Sequence, residues 1–153
     1  MADFIDSWSQ TEEVIFTHLV EAISLQSGKL TNDLPPGVLN CWVFSTGGGS
    51  ARHTWGGNGC FTSLRTTGQL QARTQSRAAG RKVAGEIIHM LKVKKNMHLI
   101  KNIQWFRIGE AGMPDIEETT FQPANNRDGL KKCHILRMSF DVVYNTVTEE
   151  AGT

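Results

Sequence analysis

The 153 residues contain only three cysteines, four prolines and one tyrosine. Cys41, Cys60 and Cys133 are odd in number and far apart. That argues against a disulfide scaffold and suits a reducing compartment. No apolar run approaches the ~18 residues of a membrane-spanning helix, so no membrane partner is expected. The first ten residues carry Asp3 and Asp6 and lack a basic, then apolar, stretch, so no export signal is expected. Motifs that carry chemistry are also missing. The glycines between Gly47 and Gly59 are not followed by Lys-Ser or Lys-Thr, and they join strand to strand, which excludes a Walker-type phosphate loop. His18, His53, His89, His98 and His134 show neither i, i+4 pairing nor a Cys-x-x-Cys companion, so no zinc site is expected. There is no Gly-x-Ser-x-Gly elbow. Asp115, Glu117 and Glu118 are near enough in sequence to hold a cation, but three acids in a Gly- and Pro-containing stretch read more simply as solvated. No catalytic residue, metal or cofactor is therefore assigned.

The chain does have apolar material for one core: 39% hydrophobic against 20% charged residues. Its length fits one α+β domain over residues 1–153. Ile15, Leu19, Ala22 and Ile23 recur at helical spacing, which predicts a first helix from about Ser9 to Gln26. Ser9 and Glu12 have capping-box spacing, and Gly28 stands where such a helix would stop. Pro35 and Pro36 mark a connecting loop. Val38 to Thr46 is rich in strand formers. Phe61 to Thr74 alternates, with Leu64, Thr66, Gly68, Leu70 and Ala72 on one side and Arg65, Gln69, Gln71 and Arg73 on the other. Gly68 in mid-strand predicts a bulge or a close approach. The glycines around 46–59 predict a flexible hairpin tip, with Trp55 as its exposed apolar contact.

Ser76 is a good N-cap for a second helix reaching Lys92, with Ala79, Val83, Ile87, Met90 and Leu91 as its apolar stripe. A third strand is expected over Ile100 to Ile108 and a flexible loop over 109–132. The closing strand, His134 to Asn145, places Leu136, Met138, Phe140, Val142 and Tyr144 on one face. The order α-β-β-α-β-β predicts a two-layer sandwich: a mostly antiparallel four-stranded sheet with two helices on one face.

The net charge of +1 conceals segregation. Residues 1–60 are net −4, residues 61–110 net +8 and residues 111–153 net −3. Clustered charge bears on association rather than on fold. One reading is a nucleic-acid-binding module built on the basic stretch 61–110. Within it Lys101, Trp105, Phe106 and Arg107 suggest a stacking platform, although adjacent strand residues face opposite sides. A second reading is a head-to-tail contact between copies, basic middle against acidic ends, which closes into a ring when the rotation allows. A third, the commonest for a small domain, is a solvated surface whose charges cluster by chance. Independently of charge, a small enzyme whose site is assembled from scattered residues is also an open reading.

The α-β-β-α-β-β order, the Pro35-Pro36-Gly37 approach to the first strand, the unit FTSLRTTGQLQARTQSRAAGRKVAGEIIHML (Phe61–Leu91) and the closing CHILRMSFDVVYNT (Cys133–Thr146) together resemble the tail-terminator and tail-completion proteins of long-tailed bacteriophages, the group that includes the lambda tail terminator. The resemblance spans Glu12 to Asn145. The glycine-rich segment at 47–59 and the segment 109–132 are additions to that pattern. The resemblance implies a structural virion protein, assembled in the host cytoplasm and located in the tail and neck. It implies a hexameric ring that caps the tail tube protein, meets the head–tail connector or neck protein, and performs no catalysis. In such a ring Arg77 and Arg81 are expected at the subunit contact. Arg65 and Arg73 would face DNA in the lumen without reading its sequence.

Overall fold

The computed structural model describes residues 7–53, 62–93, 96–100, 104–112, 114–124 and 129–146. The elements are α1 (Ser7–Ala22), β1 (Ser27–Leu30), β2 (Cys41–His53), β3 (Thr62–Thr74), α2 (Arg77–Val93), β4 (Asn96–Ile100), β5 (Gln104–Ala111), β6 (Asp115–Phe121) and β7 (Lys131–Thr146). The class is α+β, as the alternating strands and amphipathic helices predict. The sheet is larger than expected: seven strands rather than four, in the order β1-β2-β3-β7-β5-β4, with β6 also on β7. It is mixed, because β1 runs parallel to β2 while the other pairs are antiparallel.

Three corrections account for the extra strands. Ser27–Leu30 forms β1 where a helix stop and loop are expected. The single strand expected over Ile100 to Ile108 is a hairpin of β4 and β5. The expected loop 109–132 contains β6. β7 explains this last element. It is 16 residues long, and β5 covers only its Phe140–Tyr144 part. The remaining edge would leave backbone N–H and C=O groups unpaired. β6 fills it over Lys131–Arg137. Its sequence, DIEETTF, holds strand formers in Ile116, Thr119, Thr120 and Phe121 but lies between Pro114 and Pro123, and across the pair Glu117 meets Arg137 at 2.8 Å and Glu118 meets Lys132 at 3.7 Å. Of the three acids expected as a solvated or cation-binding cluster, Glu117 and Glu118 are thus paired across strands at the exposed surface. The glycine-rich segment also differs from expectation. Gly47 to His53 belongs to β2, paired with β3 through a register shift between Gly47 and Ser50. Gly48 sits there at φ 66°, a conformation glycine takes without a Cβ penalty. Trp55 lies outside the described residues.

Both helices pack on one core with the even-numbered strand residues. Ile15, Leu19 and Ile23 from the α1 side and Val83, Ala84, Ile87, Met90 and Leu91 of α2 join Trp42, Phe44, Leu70, Leu136, Phe140 and Val142 in one buried cluster. Ala79, expected in the α2 stripe, is only half-buried, and Gly80 and Ala84 are buried beside it. α1 begins at Ser7, so Ser9 and Glu12 lie within the helix rather than at its start. The Glu12 carboxylate instead accepts from the Thr46 N–H at 3.0 Å and the Thr46 hydroxyl at 2.5 Å, fastening α1 to β2. Ser76 caps α2 as its position predicts: its hydroxyl accepts from the Ala79 N–H at 3.1 Å.

One end of the opposite sheet face is covered as well. Cys41, Val43 and Cys133 are buried there, where a uniformly wet face is expected. The 31–40 segment lies against this end. Cys41 Sγ donates to the Val38 carbonyl at 3.4 Å, and Gly37 lies against the Ala124 backbone. Burial pushes the Cys41 thiol pKa up, against the opposing pull of the Arg73 guanidinium. Cys41 and Cys133 are both free thiols.

Candidate functional site

Side chains expected to make contacts can now be placed. Arg65 lies on the sheet face away from the helices, exposed, with its guanidinium 3.1 Å from Asp141. Arg73 is on the same face but is engaged inside the chain. It donates to the Pro35 carbonyl at 2.8 Å and the Val38 carbonyl at 2.9 Å, and its guanidinium stands 5.4 Å from the centre of the Phe121 ring. Arg73 therefore clamps the 31–40 segment to the sheet and is not a free lumen residue.

Arg77 and Arg81 are different. They start α2, both are exposed, and neither has a hydrogen bond or ion pair among the described residues. They line a groove of about 380 Å³ between α2 and β6, with Ala84, Gly85, Ile88 and Ile116 among the other lining residues. The groove exists because α2 approaches β6 closely at Gly80. A Cβ there would sit 3.3 Å from Ile116 Cδ1 and 3.4 Å from Thr74 Oγ1. Further along the helix, Gly85 meets nothing within 4 Å and opens the groove to solvent. Ile88 remains 46% exposed at its upper end. A shallower depression of about 280 Å³ on the other sheet face is lined by Gln69, Gln71, Arg137 and Ser139 among others.

The basic stretch 61–110 does not gather on one surface among the described side chains. Arg65 and Arg73 lie on the sheet face opposite the helices, whereas Arg77, Arg81, Lys82 and Lys92 project from α2. Among the described side chains of this stretch, Arg65 is paired with Asp141 and Arg73 is engaged inside the chain, whereas the α2 set is exposed without ion pairs. Sequence patterning marked Arg77 and Arg81 because they fall outside the apolar stripe. It gave no sign of the groove, because its far wall, β6, lies in a segment that Gly112, Pro114 and Pro123 mark as a loop. No group of three or more His, Cys, Asp or Glu side chains able to hold a metal ion occurs among the described residues. No helix among them is long and apolar enough to cross a membrane.

The chain matches no protein-family model, and no curated protein is significantly similar to it.

Two roles are thus separable by mutation. Arg73→Ala should cost about 2–3 kcal/mol, because it strands two carbonyls and uncovers Phe121. Arg77→Ala and Arg81→Ala should each stay within about 0.5 kcal/mol of the parent, as exposed side chains without partners. Urea denaturation of the three variants measures this directly. An Arg73→Ala protein as stable as the parent would return Arg73 to the list of free contact residues.

Proposed function

We propose that this chain is a structural virion protein of the phage tail-terminator kind: a homohexameric ring that seats on the end of the tail tube and bridges it to the neck. The observation that carries the reading is the placement of Arg77 and Arg81. The Ala- and Arg-rich helix that follows the long alternating strand, the unit on which the resemblance rests, presents both arginines unpaired beside a groove at one flank of the domain. α1 carries glutamates and no lysine or arginine. A domain with one acidic and one basic flank is suited to head-to-tail assembly, and such contacts close into rings. The ring works by plugging and bridging, without catalysis, with the tail tube protein on one side and the connector or neck protein on the other. DNA passing the lumen would meet Arg65 only as a screened charge, since Asp141 already neutralises it. Among the described side chains, the split of the basic stretch between two faces disfavours the alternative, a dedicated nucleic-acid-binding module, which needs its cations along one path.

The test is assembly of particles lacking the protein. Tails are expected to vary in length, to overshoot the normal one, and to fail to join heads. Tails of uniform, normal length that still join heads would overturn the reading.

A further inference from the structure

We propose that the groove between α2 and β6 is the seat for the exposed face of α1 from a second copy of this chain. The inference rests on the ring reading and names the two surfaces that form its subunit contact.

The groove side combines two unneutralised arginines with a half-exposed isoleucine. Arg77 and Arg81 stand at one end, Ile88 at the other and Lys92 one turn beyond. Between them is Gly85. A glycine in a helix interior costs about 1 kcal/mol relative to alanine. At three other positions a close neighbour explains the glycine: Trp42 at Gly28, Phe140 at Gly68 and Ile116 at Gly80, the last in this same helix. At Gly85 nothing of the chain itself comes within 4 Å of a Cβ. The missing side chain therefore serves no internal packing, and it lets another backbone or side chain approach α2 from outside.

The α1 side has the complementary character. Glu13, Thr17, Val20 and Glu21 are exposed at helical spacing, and Val20 is 50% exposed despite its apolar side chain. An apolar residue flanked by acids on one copy thus matches an apolar residue flanked by bases on the next. Asp115 also lines the groove, but it stands alone against two arginines. The two surfaces do not meet within one chain. α1 packs beside α2 and over β7, β1, β2 and β4, while the groove lies where α2 meets β6, so the exposed face of α1 and the groove are separate surfaces. A contact between them joins two different surfaces of two copies, which is the heterologous, head-to-tail arrangement that a ring requires.

The experiment uses the full chain in sedimentation velocity and light scattering, over a range of protein concentrations at low and high salt. The parent should associate, and more weakly at high salt. Two double variants are made, Arg77→Glu with Arg81→Glu, and Glu13→Lys with Glu21→Lys. Each alone should associate at least about tenfold more weakly, because like charges now face each other. Mixed in equal amounts they should associate again, since each then offers the other a complementary surface on both flanks. Gly85→Trp should also block association while leaving thermal stability at or above that of the parent, because the new side chain enters open space and glycine is the weaker helix former.

Three results would each overturn the proposal: a parent monomeric at every concentration, charge-reversed variants that associate like the parent, or a mixture no better than its components. So would loss of DNA binding without any change in association when Arg77 and Arg81 are reversed. These outcomes differ from failure of the terminator reading. Association through another surface removes this contact and leaves the ring, whereas normal tails in particles lacking the protein remove the terminator role and leave the contact.

Discussion

Replacing Phe140 by alanine is expected to destabilise the protein by about 3–5 kcal/mol, the largest effect of any single truncation considered in this fold. Phe140 is 2% exposed. It stacks on Phe44 with ring centres 5.8 Å apart and planes 8° from parallel. Its ring also lies over Gly68 on the neighbouring strand, where a Cβ would come within 2.8 Å of it. The ring thus fills the centre of the core between β2, β3 and β7, beneath helices that contribute Leu19, Val83 and Ile87 to the same cluster. Truncation removes these contacts at once and leaves a cavity that a sheet held by continuous pairing on both sides of β3 cannot close. Chemical denaturation of Phe140→Ala measures the loss. A change below about 1 kcal/mol would mean that the apolar face of β7 is not the core face.

The second large effect is expected at Gly28, where Gly28→Ala should cost about 3 kcal/mol, at the upper end for overpacking. Gly28 is directly opposite Trp42 in the parallel β1–β2 pair. The indole folds across it so closely that a Cβ would lie 2.2 Å from two ring carbons. The ring has little freedom to move away. Its Nε1–H donates to the Leu25 carbonyl at 3.1 Å, and Phe16 packs against it with ring centres 5.3 Å apart. Either the ring or the whole of β1 must shift. A double-mutant cycle separates this cause from any general weakening of the strand. With Trp42→Leu already present, the further loss from Gly28→Ala should fall below about 1 kcal/mol. An equal loss in both backgrounds would show that the indole is not the obstacle.

These two positions also mark the reach of sequence reasoning in this protein. Phe140 is legible because β7 alternates apolar and polar residues from Leu136 to Val142, and a period of two assigns each of these side chains to a face. Gly68 is legible as an anomaly in another alternating strand, and of the two explanations open to it, the close approach is the one the structure supplies. At Gly28 the same reasoning fails. A glycine after an apolar helical run reads as a C-terminal stop, whereas its packing role depends on Trp42, fourteen residues away and brought alongside only by the parallel pairing. β6 is missed for a related reason. DIEETTF lies between Pro114 and Pro123, punctuation that reads as a loop, and its Ile and Thr residues form a strand only because β7 supplies an unpaired edge, with Arg137 and Lys132 diagonal to its glutamates.

The candidate site divides in the same way. All four arginines selected from the sequence carry equal formal charge, and only their neighbours separate them. Arg73 meets two carbonyls and an aromatic ring, and Arg65 meets Asp141. Arg77 and Arg81 meet no partner among the described residues and border the groove.

The sequence by itself determined the two amphipathic helices, the long alternating strands β3 and β7, the face of each that is buried, and the segregation of charge along the chain. These are local properties, carried by residue period and composition within a window of a dozen or so residues. The tertiary structure alone decided that the sheet has seven strands, that β1 lies parallel beside β2, that Arg73 holds a loop, and that α2 and β6 enclose a groove with unpaired arginines at its edge. Each of these depends on groups distant in the chain meeting in space, where an open strand edge or an unpaired carbonyl must find whatever partner the packing brings within reach.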